Sequence, residues 1–451
     1  MITITIKNQW CYYDDDTIER FTRFSVPHYN DPLEIMVVNL KCEKQKRFPI
    51  GILFIVEKRL YASEIEYKIN DLNTYEYKNV KEKYSLRYYQ EEAINKVLEK
   101  KRGILKHPTG SGKTRVAICL SECIQGVTLF VVDTISLINQ TATAYKELTG
   151  KTANIISSSN FELSKFNIVT LQTLYSLSKS NNLNYLLKDV TCVLFDECHI
   201  LGAETYYKVA MSIPAQWRIG LSATPTNRTD SLDIYVVACT GGIIHNISMQ
   251  ELINANNLAD PYVIFYDYSV EKYKYSKYNY KEVITTNKNR NIAILELCRI
   301  APKPCLLFYE YREHGYLLQK NINNLGYSAD LVHGLYDGFQ RERAIKELIN
   351  GETDILLTSR IFNKGVNIPE LKSCINAAGW KAFIPTIQKL GRGTRKTKDK
   401  DKIIFFDLYD IENATSLSHS RERIQNYESE KLKVERFNDI QTIDLYIKNI
   451  L

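Results

Sequence analysis

From about residue 103 to 410, short apolar runs alternate with longer segments whose apolar residues recur every three or four positions. That alternation predicts parallel sheets covered by helices. "GILK" leads into a glycine turn, and "KTRVAICLSECI" follows as a helix. "VTLFVVD", "NIVTLQ", "VTCVLFDE" and "RIGLSAT" continue as strands. After a break the alternation resumes with "PCLLFYE", "SADLVHG", "DILLTS", "SCINAAG" and "DKIIFFDL". Two α/β lobes are expected, over 83–262 and 285–411, with 263–284 as a linker. Residues 262–281 are rich in Tyr and Lys. Tyr is abundant throughout (31 residues), so the segment reads as strand and linker rather than a base-stacking platform.

Residues 1–82 differ. "ITITI" alternates as a half-buried strand does. "DTIERF" predicts a helix start, with Asp16 as cap, Glu19 three residues on, and Ile18, Phe21 and Phe24 on one face. Two apolar runs, "EIMVVNL" and "IGILFIV", flank a basic turn carrying Lys41, Lys44, Lys46 and Arg47. A small α+β appendage is expected, with the turn as a solvated tip; gripping duplex phosphates is its alternative use. Residues 412–451 read as a charged helical extension on the second lobe.

Composition narrows the class. The 451 residues are 44% hydrophobic and 25% charged, an ordinary globular balance. No apolar run approaches the roughly 18 residues of a membrane span. The N-terminal stretch has no basic region before an apolar one, so no secretion signal is expected. Ten Cys without metal spacing favour a reduced, cytoplasmic setting. The net charge of +7 permits a polyanion partner without demanding one.

The chemistry concentrates at His107-Pro108-Thr109-Gly110-Ser111-Gly112-Lys113-Thr114. These residues match the later part of G-x-x-x-x-G-K-[ST], with His107 in place of the first Gly. Gly110 and Gly112 let successive backbone N–H groups converge on one phosphate. The helix that follows adds its N-terminal dipole. Lys113 reaches the β- and γ-phosphates, and Thr114 offers a hydroxyl to Mg²⁺. "VLFDECH" ends a predicted strand 83 residues after the lysine. Ligands of parallel sheets bind at the carboxyl ends of strands. Asp196 is therefore placed to hold Mg²⁺ and Glu197 to activate the attacking water. A nucleoside triphosphate, ATP, with Mg²⁺ is the expected ligand.

"HPTGSGKT", "DECH", "LSATP" and "QKLGRGTR" resemble, in order and spacing, the superfamily 2 helicases of DExH type. The resemblance spans about residues 85–410. Within that superfamily the chain is most similar to bacteriophage DNA helicases of branch migration and fork reversal. "LRYYQ", "VVDTISLINQ", "IVTLQTL" and "FNKGVNIPEL" carry that finer likeness. The resemblance implies two tandem RecA-like lobes and an ATP-driven motor on DNA. It implies that Arg87 and Gln90 contact the adenine and its surroundings. Ser222, Ala223 and Thr224, with His199, would couple the nucleotide site to the nucleic-acid track. Gln388, Arg392 and Arg395 would reach the phosphates from the second lobe; their spacing puts them near one helical face. Thr134, Ser136, Gln172, Thr173, Thr358 and Arg360 would hold strand phosphates without reading bases. Gly365 and Asn367 match a further motif of the nucleotide site, although many relatives carry Asp where Asn367 stands.

A single-stranded track acting on forks or junctions, and a monomer, complete the expectation. RNA as substrate, a switch that senses nucleic acid without moving, and the motor subunit of a restriction complex are the alternatives. "VVDTISLINQ", and Cys-His after Asp196-Glu197, favour DNA over RNA.

Overall fold

The computed structural model describes residues 1–451 apart from 28–34, 43–44, 158–159, 180–182, 226–231, 269–278, 360–367, 369, 380–399 and 430, and the side chain of 184. The chain forms two compact units, Met1–Pro108 with Gly112–Ile247, and Thr109–Ser111 with Ser248–Leu451.

The N-terminal residues form a four-stranded mixed sheet in the order Arg47–Pro49, Trp10–Tyr13, Ile2–Lys7, Tyr67–Asp71. Ile2, Ile4 and Ile6 all point inward, as their alternation requires. The "DTIERF" segment is a 3-10 helix over Asp16–Thr22. Its cap is Asp15 rather than Asp16: Asp15 is extended and accepts from the Thr17 N–H at 2.8 Å. Asp16 instead pairs with Lys46 at 2.9 Å. Most of "IGILFIV" becomes helix, in Leu53–Ala62.

This accessory sheet is packed onto the first lobe. Gly51 lies against helix Asp233–Thr240 so closely that a Cβ would meet the Val237 carbonyl oxygen at 2.1 Å. The Gln9 amide donates to the Met211 carbonyl at 2.9 Å. Ala238 joins Ile4, Phe48, Val56 and Leu60 in one apolar cluster.

Among the described residues the first lobe carries a seven-stranded parallel sheet. Its order is Ile243–Asn246, Arg102–Lys106, Trp217–Ser222, Val190–Asp196, Val127–Val132, Phe166–Thr170, Asn154–Ile155. The central strands are buried on both faces, which is why they read as unbroken apolar runs.

The second unit has its own seven-stranded parallel sheet, ordered Ala329–Val332, Ile355–Thr358, Cys305–Phe308, Ser373–Asn376, Lys402–Leu408, Asp260–Tyr266, Val434–Phe437. Here the boundary expected at 262 is corrected. Strand Asp260–Tyr266 crosses it and pairs with Lys402–Leu408, so its start belongs to the second sheet and not the first. The span expected as a linker holds the end of that strand and helix Tyr280–Thr285. The C-terminal extension is helix Ala414–Ser429, edge strand Val434–Phe437 and helix Ile440–Ile450, whose Ile443 and Ile447 enter the second core.

A buried ionic brace sits inside the second unit. Arg290 Nε donates to Asp410 Oδ1 at 2.8 Å, and Arg423 Nε to both Asp407 oxygens at 3.1 Å. Arg290 Nη1 donates to the Ala377 carbonyl at 3.0 Å and Arg423 Nη1 to that of Gly379 at 2.9 Å. The Tyr268 hydroxyl lies 2.5 Å from Glu412 and 2.9 Å from Asp410 Oδ1, so its one proton is shared between two carboxylates.

Candidate nucleotide site

Strand Arg102–Lys106 runs into the glycine turn, and helix Lys113–Cys123 leaves it. Gly110 and Gly112 both have φ of 85°, a region that side chains disfavour. A Cβ at Gly112 would meet Gln90 Nε2 at 2.5 Å, so the turn and Gln90 are built against each other. Gln90 is held from behind: its Oε1 accepts from the Arg87 N–H at 3.0 Å, at the start of helix Tyr88–Lys100. Arg87 Nη1 donates to the Tyr89 hydroxyl at 3.0 Å. Pro108, Thr109 and Ser111 complete the turn, with Ser111 buried.

Lys113 Nζ donates back to the His107 carbonyl at 3.3 Å and stands 3.7 Å from Glu197 Oε1. Asp196 ends strand Val190–Asp196, two sheet positions from the strand that feeds the turn, and its Oδ1 accepts from the Glu197 N–H at 3.1 Å. Glu197 has φ of 46°, left-handed backbone that turns its side chain out of the strand. Glu197 Oε2 lies 3.4 Å from His199 Nδ1, which is 3.2 Å from Ser222 Oγ. Ser222 Oγ in turn accepts from the Thr224 N–H at 3.1 Å, with Ala223 buried between them. One polar chain thus runs from lysine through glutamate and histidine to the Ser222–Thr224 turn.

Burial raises the Asp196 carboxyl to about 7, with the Glu197 carboxylate beside it adding to the effect and Lys113 opposing it. Two adjacent carboxylates with one lysine make a site that a divalent cation would relieve. The oxygen donors present, the Asp196 carboxylate and the Thr114 hydroxyl, suit Mg²⁺. They are the residues that would hold it, and the ion would supply charge neutralisation for the phosphates.

One element escaped the sequence. His107 Nε2 lies 2.8 Å from His245 Nδ1, on the edge strand Ile243–Asn246. Burial, then His245, pushes the His107 imidazole down to about 3, so it is neutral. The replaced motif glycine was the only sign of it.

The nucleic-acid candidates are spread more widely. Thr134 caps helix Ile135–Thr149 through Leu137 N–H at 3.4 Å, and Ser136 is exposed in its first turn. Gln172 Oε1 accepts from the Tyr206 hydroxyl at 3.4 Å. Thr173 Oγ1 is 2.8 Å from Thr170 Oγ1. Thr358 is fully buried at a strand end in the second unit. Arg360, Gly365, Asn367, Gln388, Arg392 and Arg395 lie outside the described residues.

Two family models match, "Type III restriction enzyme, res subunit" over residues 83–227 and "Helicase conserved C-terminal domain" over 288–397. Both fall in the order the motifs predict. The chain belongs to the superfamily 2 helicases. This helicase is 25% identical over 390 residues to the DNA 3'-5' translocase XPB2 of Sulfurisphaera tokodaii, covering 77% of this chain and 87% of the relative. It is 27% identical over 425 residues to the L396 protein of Acanthamoeba polyphaga mimivirus, named as an ATP-dependent RNA helicase, covering 85% and 77%. Among solved structures, S. cerevisiae Dbp5 bound to RNA and ADP BeF3 matches 87% of this helicase and 96% of its own chain, with a TM-score of 0.59 and 16% identity. That likeness bears on fold, and it agrees with the two tandem RecA-like lobes.

Proposed function

We propose that this helicase hydrolyses ATP to translocate on DNA and that it remodels branched DNA by branch migration, fork reversal and unwinding. The observation that carries the motor part is the polar chain from Lys113 through Glu197 and His199 to Ser222 and Thr224. It gives hydrolysis at Glu197 a physical route to the turn that follows strand Trp217–Ser222. In this reading Lys113 binds the β- and γ-phosphates and Glu197 orients the attacking water. Gln388, Arg392 and Arg395 contribute guanidinium and amide groups from the second lobe, which would make turnover depend on closure of the two lobes. Thr134, Ser136, Gln172, Thr173 and Arg360 hold one strand by its phosphates; Thr358, expected among them, is fully buried and is not placed to do so.

DNA is favoured by the XPB2 likeness and by the "DECH" and "VVDTISLINQ" motifs. RNA is the second reading, and the L396 likeness favours it. Among the described residues no helix is long and apolar enough to cross a membrane. ATPase and unwinding rates on single-stranded DNA, duplex, fork, four-way junction and RNA of equal length test the reading. Greatest activity on forks and junctions is expected. Stimulation by RNA alone would replace DNA as the substrate.

A further inference from the structure

A cavity of about 710 Å³ lies where the accessory sheet meets the first lobe, and among the described residues its wall has no acidic side chain. Its cations come from four separate segments. Lys7 stands at the tip of the first hairpin, Arg47 on the strand after the basic turn, Lys188 before the "VTCVLFDE" strand, and Lys208 on helix Glu204–Met211. Lys208 is paired with Glu204 at 2.7 Å. Among the described residues Lys7, Arg47 and Lys188 make no ion pair.

Arg47 is preorganised. Its guanidinium stacks over Trp10 at 4.2 Å, and Nη1 donates to the Tyr12 hydroxyl at 3.2 Å. Stacking occupies the faces of the guanidinium and leaves its edge donors in plane, the arrangement that suits a phosphate. Arg47 Nε is buried with no hydrogen-bond partner among the described residues. The wall is fixed too, because Gln9 ties the hairpin tip to Met211 on the far side.

One helix links the cavity to the expected track. Helix Glu204–Met211 presents Tyr207 and Lys208 to the cavity, while its Tyr206 hydroxyl donates to Gln172 at 3.4 Å. We propose that this junction cavity binds the phosphodiester backbone of the nucleic acid, as a second grip beside the motor track. The proposal rests on the nucleic-acid reading above but not on its choice of DNA. The accessory sheet thereby acts as a phosphate clamp fixed to the first lobe, and its "basic turn" contributes Arg47 to a built site.

The test uses the full chain and a fluorescent fork of whichever polynucleotide stimulates its ATPase. Lys7→Glu with Lys188→Glu changes two exposed side chains, so the fold is kept. Binding by anisotropy across a salt series should weaken several-fold. The slope of log affinity against log salt should become shallower by roughly one to two units. ATP turnover without nucleic acid should be unchanged. Arg47→Lys, which keeps the charge but loses the stacked fork, should also weaken binding. Affinity and slope equal to wild type in the double variant, with wild-type ATPase still stimulated by the polynucleotide, would overturn the clamp and leave the motor reading standing. Loss of pyrophosphate binding with the fork still bound tightly would assign the cavity to a free anion and overturn it as well.

Discussion

In the first lobe Asp196 and Glu197 are adjacent in the chain, and Lys113 stands 3.7 Å from Glu197. In the second unit Arg290 and Arg423 meet Asp407 and Asp410 in near-complete burial, with nitrogens of both guanidiniums also donating to backbone carbonyls. The first cluster has like charges side by side, and burial and Glu197 together push Asp196 up to about 7. In the second, each guanidinium meets an aspartate of its own, and the extra carboxylate, Glu412, is held by the Tyr268 hydroxyl. The difference separates a site prepared for a ligand from a brace that completes itself. Perturbed titration with uneven charge marks the former. Buried charge alone marks neither.

The comparison can be broken by exchanging the consequences. Lys113→Ala or Glu197→Gln should lower ATP turnover by two orders of magnitude or more while leaving thermal unfolding nearly unchanged; Glu197→Gln should still bind nucleotide. A steady-state ATPase assay beside calorimetry checks both. Retained turnover in either variant removes the roles assigned here. Arg423→Met should do the reverse, since it strands Asp407 in the core. A loss of about 3–5 kcal/mol in urea unfolding is expected, with nucleotide affinity of the remaining folded protein preserved. Equal stability losses in Lys113→Ala and Arg423→Met would erase the distinction.

Acid sharpens it further. Burial holds both His107 and His314 down to about 3, against an ordinary 6.5. Below about 6.5 the unfolded chain takes up protons that the native protein refuses. Stability is therefore full above that pH and is lost as pH falls toward 3, by up to about 1.4 kcal/mol per pH unit per proton. His314→Gln should flatten part of the fall between about pH 6 and pH 4, as read from urea midpoints, because glutamine can still reach Asn291, the 2.8 Å partner of His314. An unchanged slope would show that His314 is not a contributor. The smallest effect concerns Thr134. Thr134→Ala should cost about 0.5–1 kcal/mol through the lost helix cap. Any reduction in nucleic-acid affinity beyond that of Thr134→Ser would report a phosphate contact.

The two-lobe alternation was legible because parallel strands buried on both faces appear as unbroken apolar runs, and "VTLFVV" and "CLLF" are of this kind. The candidate nucleotide site was legible in the first lobe because each of its parts is a short local pattern: a turn between strand and helix, and a carboxylate pair at a strand end. What escaped was long-range. The chain carries no local mark that Asp260–Tyr266 adds to the second sheet, since an apolar strand pairs equally well with either. The Asp15 cap was hidden among three consecutive aspartates, of which backbone conformation selects one. His107 and His245 are 138 positions apart, and Arg290 and Asp410 are 120. Neither spacing follows from any local rule.

Glu197 adopts a backbone conformation, φ of 46°, that glycine would occupy at less cost. At this one position, then, engineering for robustness and engineering for speed pull apart. A glycine here would relax the corner while removing the carboxylate proposed to orient the attacking water. Screens that select only for heat resistance should drift toward inert versions of this machine, starting at residue 197.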